Sequence, residues 1–430
     1  MTLHPKNAAV VGTAFVTGLL TQTSVNVVGN MPLAEFVVLA LMAVITVKLA
    51  TDRQLPTGLF RSPAFWVAFV AQVIAFAAYV ASDLYRGSTT NDMIRGWSRM
   101  FFLGIDVFAL MWLFGASASC FIWTQTGFML GGVLAVAIGG AQYDAYWKFG
   151  LGGPTTIALF LISPYFGRLL GIVLIGALGV LHLALDFRSM GGICLLAAML
   201  LGVQSFPRQF RALILVPSLI AGTAFTFWIN ARHRSDDAER GNRSTVERTA
   251  MYVAASEAFL ESPLIGQGSW FSNSRVIDNF VLIRSEGAKL AKVHGYSVDN
   301  EETNIAIHSQ LLVSFAEGGI FGGSFFMVFC VGIMWALWHC TVRRASDAKT
   351  PIYVFTLLNA TWNLFFSPFS GPHRIGIAIA CGLIFLLWHE AYGLATSTDE
   401  AELDLADGDE PAPFPPNRLH APRPHPDLHL

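Results

Sequence analysis

Residues 32–50 read PLAEFVVLALMAVITVKLA, with a single acid, Glu35, and a single base, Lys48. A bilayer core of about 30 Å takes roughly 20 apolar residues in a helix, so a run this long and this free of charge is able to cross it. Further apolar runs lie near 8–28, 63–82, 101–116, 119–140, 154–167, 168–186, 189–203, 210–229, 311–338, 351–367 and 374–392. Their lengths predict an all-α, polytopic transmembrane bundle of about twelve spans. The stretch 154–186 is long for one span and short for two, and Ser163-Pro164 is where it would break into half-helices. About eleven spans is the alternative count.

Composition points the same way. The 430 residues are 54% hydrophobic and 13% charged, with a mean hydropathy of +0.53, more apolar than a soluble core requires. The runs recur along the chain rather than once at its start, which excludes a soluble protein carrying a signal peptide. A formal net charge of -2 supplies no basic field for DNA or RNA, so the expected surroundings are membrane lipids and not nucleic acid. Cys120, Cys194, Cys330, Cys340 and Cys381 sit in or beside apolar runs without a CxxC pair, so neither a zinc site nor a disulfide framework is expected.

Short loops set the orientation. Lys48, Arg53 and Arg61, then Arg208 and Arg211, then Arg343, Arg344 and Lys349 fall on one side of a twelve-span chain, which the positive-inside rule makes cytoplasmic. The loop Asp83–Arg99 is an exception. It carries Arg86, Arg95 and Arg99 on the opposite side, which either weakens the topology or marks arginines kept outside for a purpose.

The resulting organisation has nine spans in 1–229, one large outer loop with amphipathic helices in 230–310, spans ten to twelve in 311–395, and a disordered cytoplasmic tail in 396–430. The tail is acidic and then proline-rich, without the periodicity of a packed element. Prolines scattered among His420, His425 and His429 leave no preformed metal geometry.

Three stretches carry chemistry. In NIAIHSQLLVSFAEGGIFGG, residues 304–323, Asp299 or Asn300 reads as a cap and Glu302 closes a capping box, which predicts a helix over about 300–317 with His308 in its middle. Glu317 would then lie about 180° away from His308 around that helix. Its simplest role, beside Gly318-Gly319, is to bond backbone donors freed where the helix bends. His308 is either an interfacial histidine satisfying its hydrogen bonds or a base, since an imidazole of pKa about 6.5 suits removal of a hydroxyl proton at neutral pH.

The second stretch is ERTAMYVAASEAFLESPLIGQGSW, residues 247–270: an amphipathic helix, stopped by Pro263, then a loop in which Gly266 and Gly268 allow a tight backbone path. Arg248 at the start of that helix does nothing for its dipole, so it either faces a ligand or is a solvated residue paired with Glu247 or Asp236. In the third, LALDFRSMGG, Arg188 follows an apolar run, where snorkelling is the ordinary role. Arg168 reaches the cytoplasmic surface if the chain breaks beside Pro164.

In chain order these stretches resemble the O-antigen ligase and polymerase superfamily of bacterial inner-membrane glycosyltransferases. Arg188 stands at the outer end of a span, and Arg248 precedes Pro263-Leu264-Ile265-Gly266-Gln267-Gly268 by the family spacing. His308, Leu312, Glu317, Gly319 and Gly322 follow in register with the family's histidine and its E-x-G-x-x-G run. The resemblance spans roughly residues 185–325. Ser309 replaces an asparagine that often follows the histidine and Tyr252 a usual tryptophan, which leaves the subfamily open.

The resemblance implies transfer of a glycan from an undecaprenyl diphosphate carrier to an acceptor hydroxyl, on the periplasmic side of the inner membrane, with no metal and no cofactor. His308 would be the catalytic base, and Arg188 and Arg248 would bind the donor diphosphate. Glu317, Gly266, Gly268, Gly319 and Gly322 would be supporting residues. The acceptor is lipid A-core for a ligase, which is favoured narrowly, or a growing polysaccharide for a polymerase. A protein-directed oligosaccharyltransferase is a third reading. A lipid-linked glycan transporter is weaker, because the chain shows no internal repeat and has one large outer insertion.

Overall fold

The computed structural model describes the backbone of residues 5–26, 30–52, 62–139, 146–215, 217, 238–270 and 309–406. Side chains are described over the same spans except 5–7, 26, 30, 52, 238–249 and 393–406. Helices dominate: α1 (Pro5–Leu20), α2 (Leu33–Asp52), α3 (Pro63–Arg86), α4 (Thr90–Ala116), α5 (Ser119–Ala137), α6 (Gly152–Ile162), α7 (Arg168–Ala184) and α8 (Arg188–Val203). There follow α9 (Ala238–Glu261), α10 (Gln310–Gly322), α11 (Ser324–Trp338), α12 (Thr350–Phe366) and α13 (Gly371–Ala406). A departure from an all-α chain is a short antiparallel hairpin between α1 and α2, with Ser24–Asn26 paired to Asn30–Pro32. Residues Met1–Trp388 form one compact unit, and a second begins at His389.

Among the described residues seven helices are long and apolar enough to cross a membrane: Leu33–Thr51, Pro63–Arg86, Thr90–Ala116, Ser119–Ala137, Trp147–Phe166, Ser324–Arg343 and Gly371–Tyr392. Shorter apolar helices cover Ala8–Leu20, Arg168–Ala184 and Arg188–Val203. The outward faces are apolar too, with Val44, Val67, Phe101, Val173, Val331 and Met334 each at least half exposed. Water would penalise such a surface and hydrocarbon would not, so this is a helical bundle suited to a membrane.

Several expectations change in detail. The stretch 154–186 is two helices, because a 3₁₀ turn at Ser163–Phe166 and a left-handed Gly167 (φ 79°) interrupt it. The run 311–338, expected as one span, is α10 and α11. Gly319 leaves helical geometry at φ 64°, ψ -161°, and Gly323 joins the pieces. The helix expected from about 300 through 317 does not run through Ser309. That residue is extended (φ -154°, ψ 114°) and caps α10 with its own hydroxyl on the Leu312 amide at 3.3 Å. The opposed phase of His308 and Glu317 on one helix therefore has no basis. Arg248 lies inside α9 rather than at its start. Residues 396–406, expected to be disordered tail, continue α13 as helix. Most of 210–229, the proposed caps at Asp299 and Asn300, and His308 itself lie outside the described residues.

Two ends of the bundle are tied differently. At one, Arg211 donates to the carbonyls of Gln204, Phe206, Val342 and Arg344, and Gln204 donates to the Cys340 carbonyl. From there α12 runs to the other end, where the Leu364 carbonyl accepts the Ser309 hydroxyl at 3.4 Å and the Phe365 carbonyl accepts the Tyr252 hydroxyl at 2.8 Å. Between the ends, Arg374 of α13 pairs with Glu35 of α2 and lies 3.6 Å from Asp106 of α4.

Lipid is as apolar as leucine, so helices in a membrane gain little from hydrophobic burial against each other and associate through close backbone approach. The α1–α5 contact works this way. A Cβ at Gly127 would collide with the Phe15 carbonyl, one at Gly18 with the Thr124 carbonyl, and one at Gly131 with the Leu19 carbonyl. Gly12, on the same α1, has open space around it. Gly127→Ala should therefore lower stability by about 1–3 kcal/mol through overpacking. Gly12→Ala should leave the melting temperature of the detergent-solubilised protein unchanged or slightly higher, by helix propensity.

Candidate functional site

The stretches Pro263–Gly268 and Glu317–Gly322 meet at the end of the bundle reached by Ser309. The helix α9 ends at Glu261, and the chain turns so that the Gly266 amide donates back to the Ser262 carbonyl at 2.8 Å. Past that turn the loop reads α10 along its backbone. The Gln267 amide donates to the Ala316 carbonyl at 2.8 Å, Gly268 to Glu317 at 3.0 Å, and Ile320 back to Pro263 at 2.8 Å. Two glycines make this approach possible. Gly266 (φ 87°) and Gly319 (φ 64°) are left-handed, and a Cβ on the first would enter the Glu317 carbonyl while one on the second would enter that of Leu264. The break in α10 at Gly319 is thus the place where the loop docks.

Glu317 is 4% exposed and every oxygen it has is used. One carboxylate oxygen accepts the Trp270 amide at 3.0 Å, the other pairs with Arg99, and its carbonyl takes the Ser82 hydroxyl at 2.7 Å besides the Gly268 amide. The freed backbone donor that it bonds belongs to the loop, not to its own helix.

A second buried carboxylate holds the far end of the loop. Asp83, fully buried near the end of α3, accepts from the Ser269 amide at 2.5 Å and the Ser269 hydroxyl at 2.8 Å. It also accepts from the Trp97 indole at 2.7 Å and the Ser88 hydroxyl at 2.8 Å. The left-handed Gly87 ends α3 by returning its amide to the Asp83 carbonyl, which lets Ser88 fold back on the carboxylate.

Three arginines of the stretch Asp83–Arg99 surround this loop. Arg86 donates through Nε to the Gly266 carbonyl at 3.0 Å. Arg99 is 7% exposed, paired with Glu317, and sits among the rings of Tyr79, Trp270 and Phe369 at 5.7, 5.6 and 5.1 Å. Arg95 lies over the Trp270 ring, 4.2 Å from its centre. None of the three was named as a site residue from the sequence, nor were Ser82, Asp83, Trp97 and Ser269. The available signal was the misplaced charge of the loop Asp83–Arg99, together with an acid inside an apolar helix.

Among the residues expected in the site, Glu317, Gly266, Gly268 and Gly319 are brought together. Gly322 closes the same helix, where a Cβ would meet the Ser314 carbonyl. Arg188 starts α8, at the end opposite Gln204, and is paired with Asp186 at 2.9 Å. Its side chain is 42% exposed and that of Asp186 61%. An exposed pair of this kind is worth about 0–1 kcal/mol, so the guanidinium exchanges readily for another anion. Asp186 is left-handed (φ 55°), and Phe187 packs on the buried His182, whose ring nitrogens meet Trp147 at 2.9 Å and Thr156 at 2.7 Å. The side chain of Arg248 and all of His308 lie outside the described residues, although Ser309, next to His308, is bonded to α12 at this same end.

Fold and site together define a helical bundle with seven membrane-length apolar helices among its described residues, whose loop Ser262–Trp270 is docked on a broken helix and surrounded by arginines. Neither a family model nor a curated protein matches the chain.

Arg99→Met or Glu317→Met alone leaves one buried charge without its partner, which should cost about 3–5 kcal/mol. The Arg99→Met/Glu317→Met double variant should be less destabilised than either single one. Thermal unfolding in detergent, followed by tryptophan fluorescence, checks the order of the three.

Proposed function

We propose that this chain is a glycosyltransferase of the O-antigen ligase type in the bacterial inner membrane, moving a glycan from undecaprenyl diphosphate to a hydroxyl of lipid A-core. The topology that belongs to this reading has about twelve spans, with residues 230–310 on the periplasmic side. One observation carries it. The two separated stretches behind the resemblance, Pro263–Gly268 and Glu317–Gly322, are hydrogen-bonded into a single unit, and the left-handed backbone at Gly266 and Gly319 accounts for both glycines.

In the reaction, an acceptor oxygen attacks the anomeric carbon while the bond from that carbon to the diphosphate breaks. His308 takes the acceptor proton, and the diphosphate leaves with the bonding pair. That leaving charge needs cations, and arginine forks meet phosphate oxygens in pairs. Arg188, whose pair with Asp186 is exposed, and Arg248 supply them in this reading. Arg99 is not available for the role because Glu317 already holds it. Glu317 is assigned to shaping the loop rather than to chemistry.

The test is glycan transfer by the purified protein in proteoliposomes holding undecaprenyl diphosphate-linked glycan and lipid A-core. His308→Ala should reduce the rate by about 100-fold or more, and Arg188→Lys, which loses the paired donors, should also fail. Transfer at the wild-type rate by His308→Ala overturns the base assignment. In the host, deletion should leave core without O-antigen and polymer still on its lipid carrier. A core bearing a single repeat unit would instead mean polymerisation.

A further inference from the structure

The end of the bundle tied by Arg211 holds a pocket of about 320 Å³ that the proposed transfer does not use. It lies where α6 gives way to α7, against the last turn of α8 and the segment leading into α12. Ser163, Gly167, Arg168, Gln204 and Asp347 are among its lining residues.

Three features of this pocket are complementary to one kind of ligand. The first turn of α7 has no side-chain cap, so its leading amides face outward as an anion-binding end. Arg168 stands at that turn, and among the described residues it makes one long hydrogen bond of 3.5 Å, to the Leu201 carbonyl, so most of its guanidinium donors remain for another partner. Gln204 is 1% exposed and donates its amide to the Cys340 carbonyl, but its Oε1 has no hydrogen-bond partner. A buried amide oxygen without a donor is costly, and because this one is itself enclosed, a ligand hydroxyl or amine meets it only when the Gln204 side chain turns toward the pocket it lines. The acid in the lining does not oppose an anion strongly. Asp347 is paired with Arg344 at 2.8 Å and caps α12 by accepting from the Thr350 amide and hydroxyl.

The flank of the pocket identifies the source of such a ligand. Tyr165, Leu169 and Leu170 are 84%, 77% and 50% exposed around Arg168, an apolar surface continuous with the hydrocarbon-facing side of α7. A phosphate on the α7 turn would therefore have acyl chains beside it, at the depth of lipid headgroups.

We propose that this pocket binds the headgroup of an anionic glycerophospholipid. The phosphate lies on Arg168 and the first amides of α7, and a headgroup hydroxyl donates to Gln204 Oε1. Phosphatidylglycerol has both parts, a phosphodiester and free hydroxyls beyond it.

Native mass spectrometry of the whole protein, stripped of lipid in detergent and titrated with phosphatidylglycerol, phosphatidic acid, phosphatidylcholine or inorganic phosphate, tests this. Phosphatidylglycerol should bind at one saturable site and phosphatidylcholine should not compete for it. Arg168→Gln should weaken that binding about tenfold or more, which corresponds to about 1.4 kcal/mol. Arg208→Gln, equally basic but outside the pocket lining, should change it less than about twofold. Gln204→Leu should weaken phosphatidylglycerol while sparing phosphatidic acid, which has no headgroup hydroxyl of that kind; retained phosphatidic acid binding also reports that the variant is folded. Equal binding of phosphatidylcholine, or unchanged binding by Arg168→Gln, overturns the proposal. Displacement of the lipid by inorganic phosphate at similar concentration would overturn it too, in favour of a free-anion site.

Discussion

The carboxylate of Glu317 meets the guanidinium of Arg99 out of reach of water, and much of the described structure at this end of the bundle leans on that pair. Two charges brought out of water are stable only when they hold each other and their remaining lone pairs find donors. Glu317 meets that demand with the Trp270 amide, and Arg99 is packed among three aromatic rings. The cost of burying the acid is thus offset by bonds that also bring α4, α10 and the loop after α9 into one place. Asp83 repeats the device at Ser269, the residue before Trp270, with neutral donors only.

Three arginines of the stretch Asp83–Arg99 gather at this end of the bundle, and each has a partner there. Arg86 is spent on the Gly266 carbonyl, Arg99 on Glu317, and Arg95 lies over the Trp270 ring. Arg188, by contrast, pairs with an exposed aspartate among the described residues. The division between arginines that build and an arginine that can be recruited follows from burial, since residue type is the same throughout.

Much of the fold was legible beforehand. The runs at 63–82, 119–140 and 351–367 became α3, α5 and α12 with small shifts of boundary, because a helix that must satisfy every backbone group inside lipid leaves a long uncharged run as its signature. The glycines at 266 and 319 were read as places of unusual backbone, and both are left-handed. Legibility ended where two distant segments had to be paired. Nothing local tells that Ser82 would donate to Glu317, or that Asp83 would bond Ser269, since these partners are remote along the chain. The helix expected through Ser309 failed for a related reason: the cap that starts α10 is a serine inside an otherwise helical pattern, and its contact with Leu364 of α12 is tertiary.

Periodicity, length and charge are properties of neighbouring residues, and they were enough to establish a chain of apolar helices with a polar insertion before α10. Which acid meets which base depends on how those helices are packed, because in lipid the packing is decided by close backbone approach at glycines such as Gly127 and Gly18 and not by apolar area. Only the tertiary structure therefore showed Glu317 as the partner of Arg99, and left Gln204 with a buried oxygen and no donor.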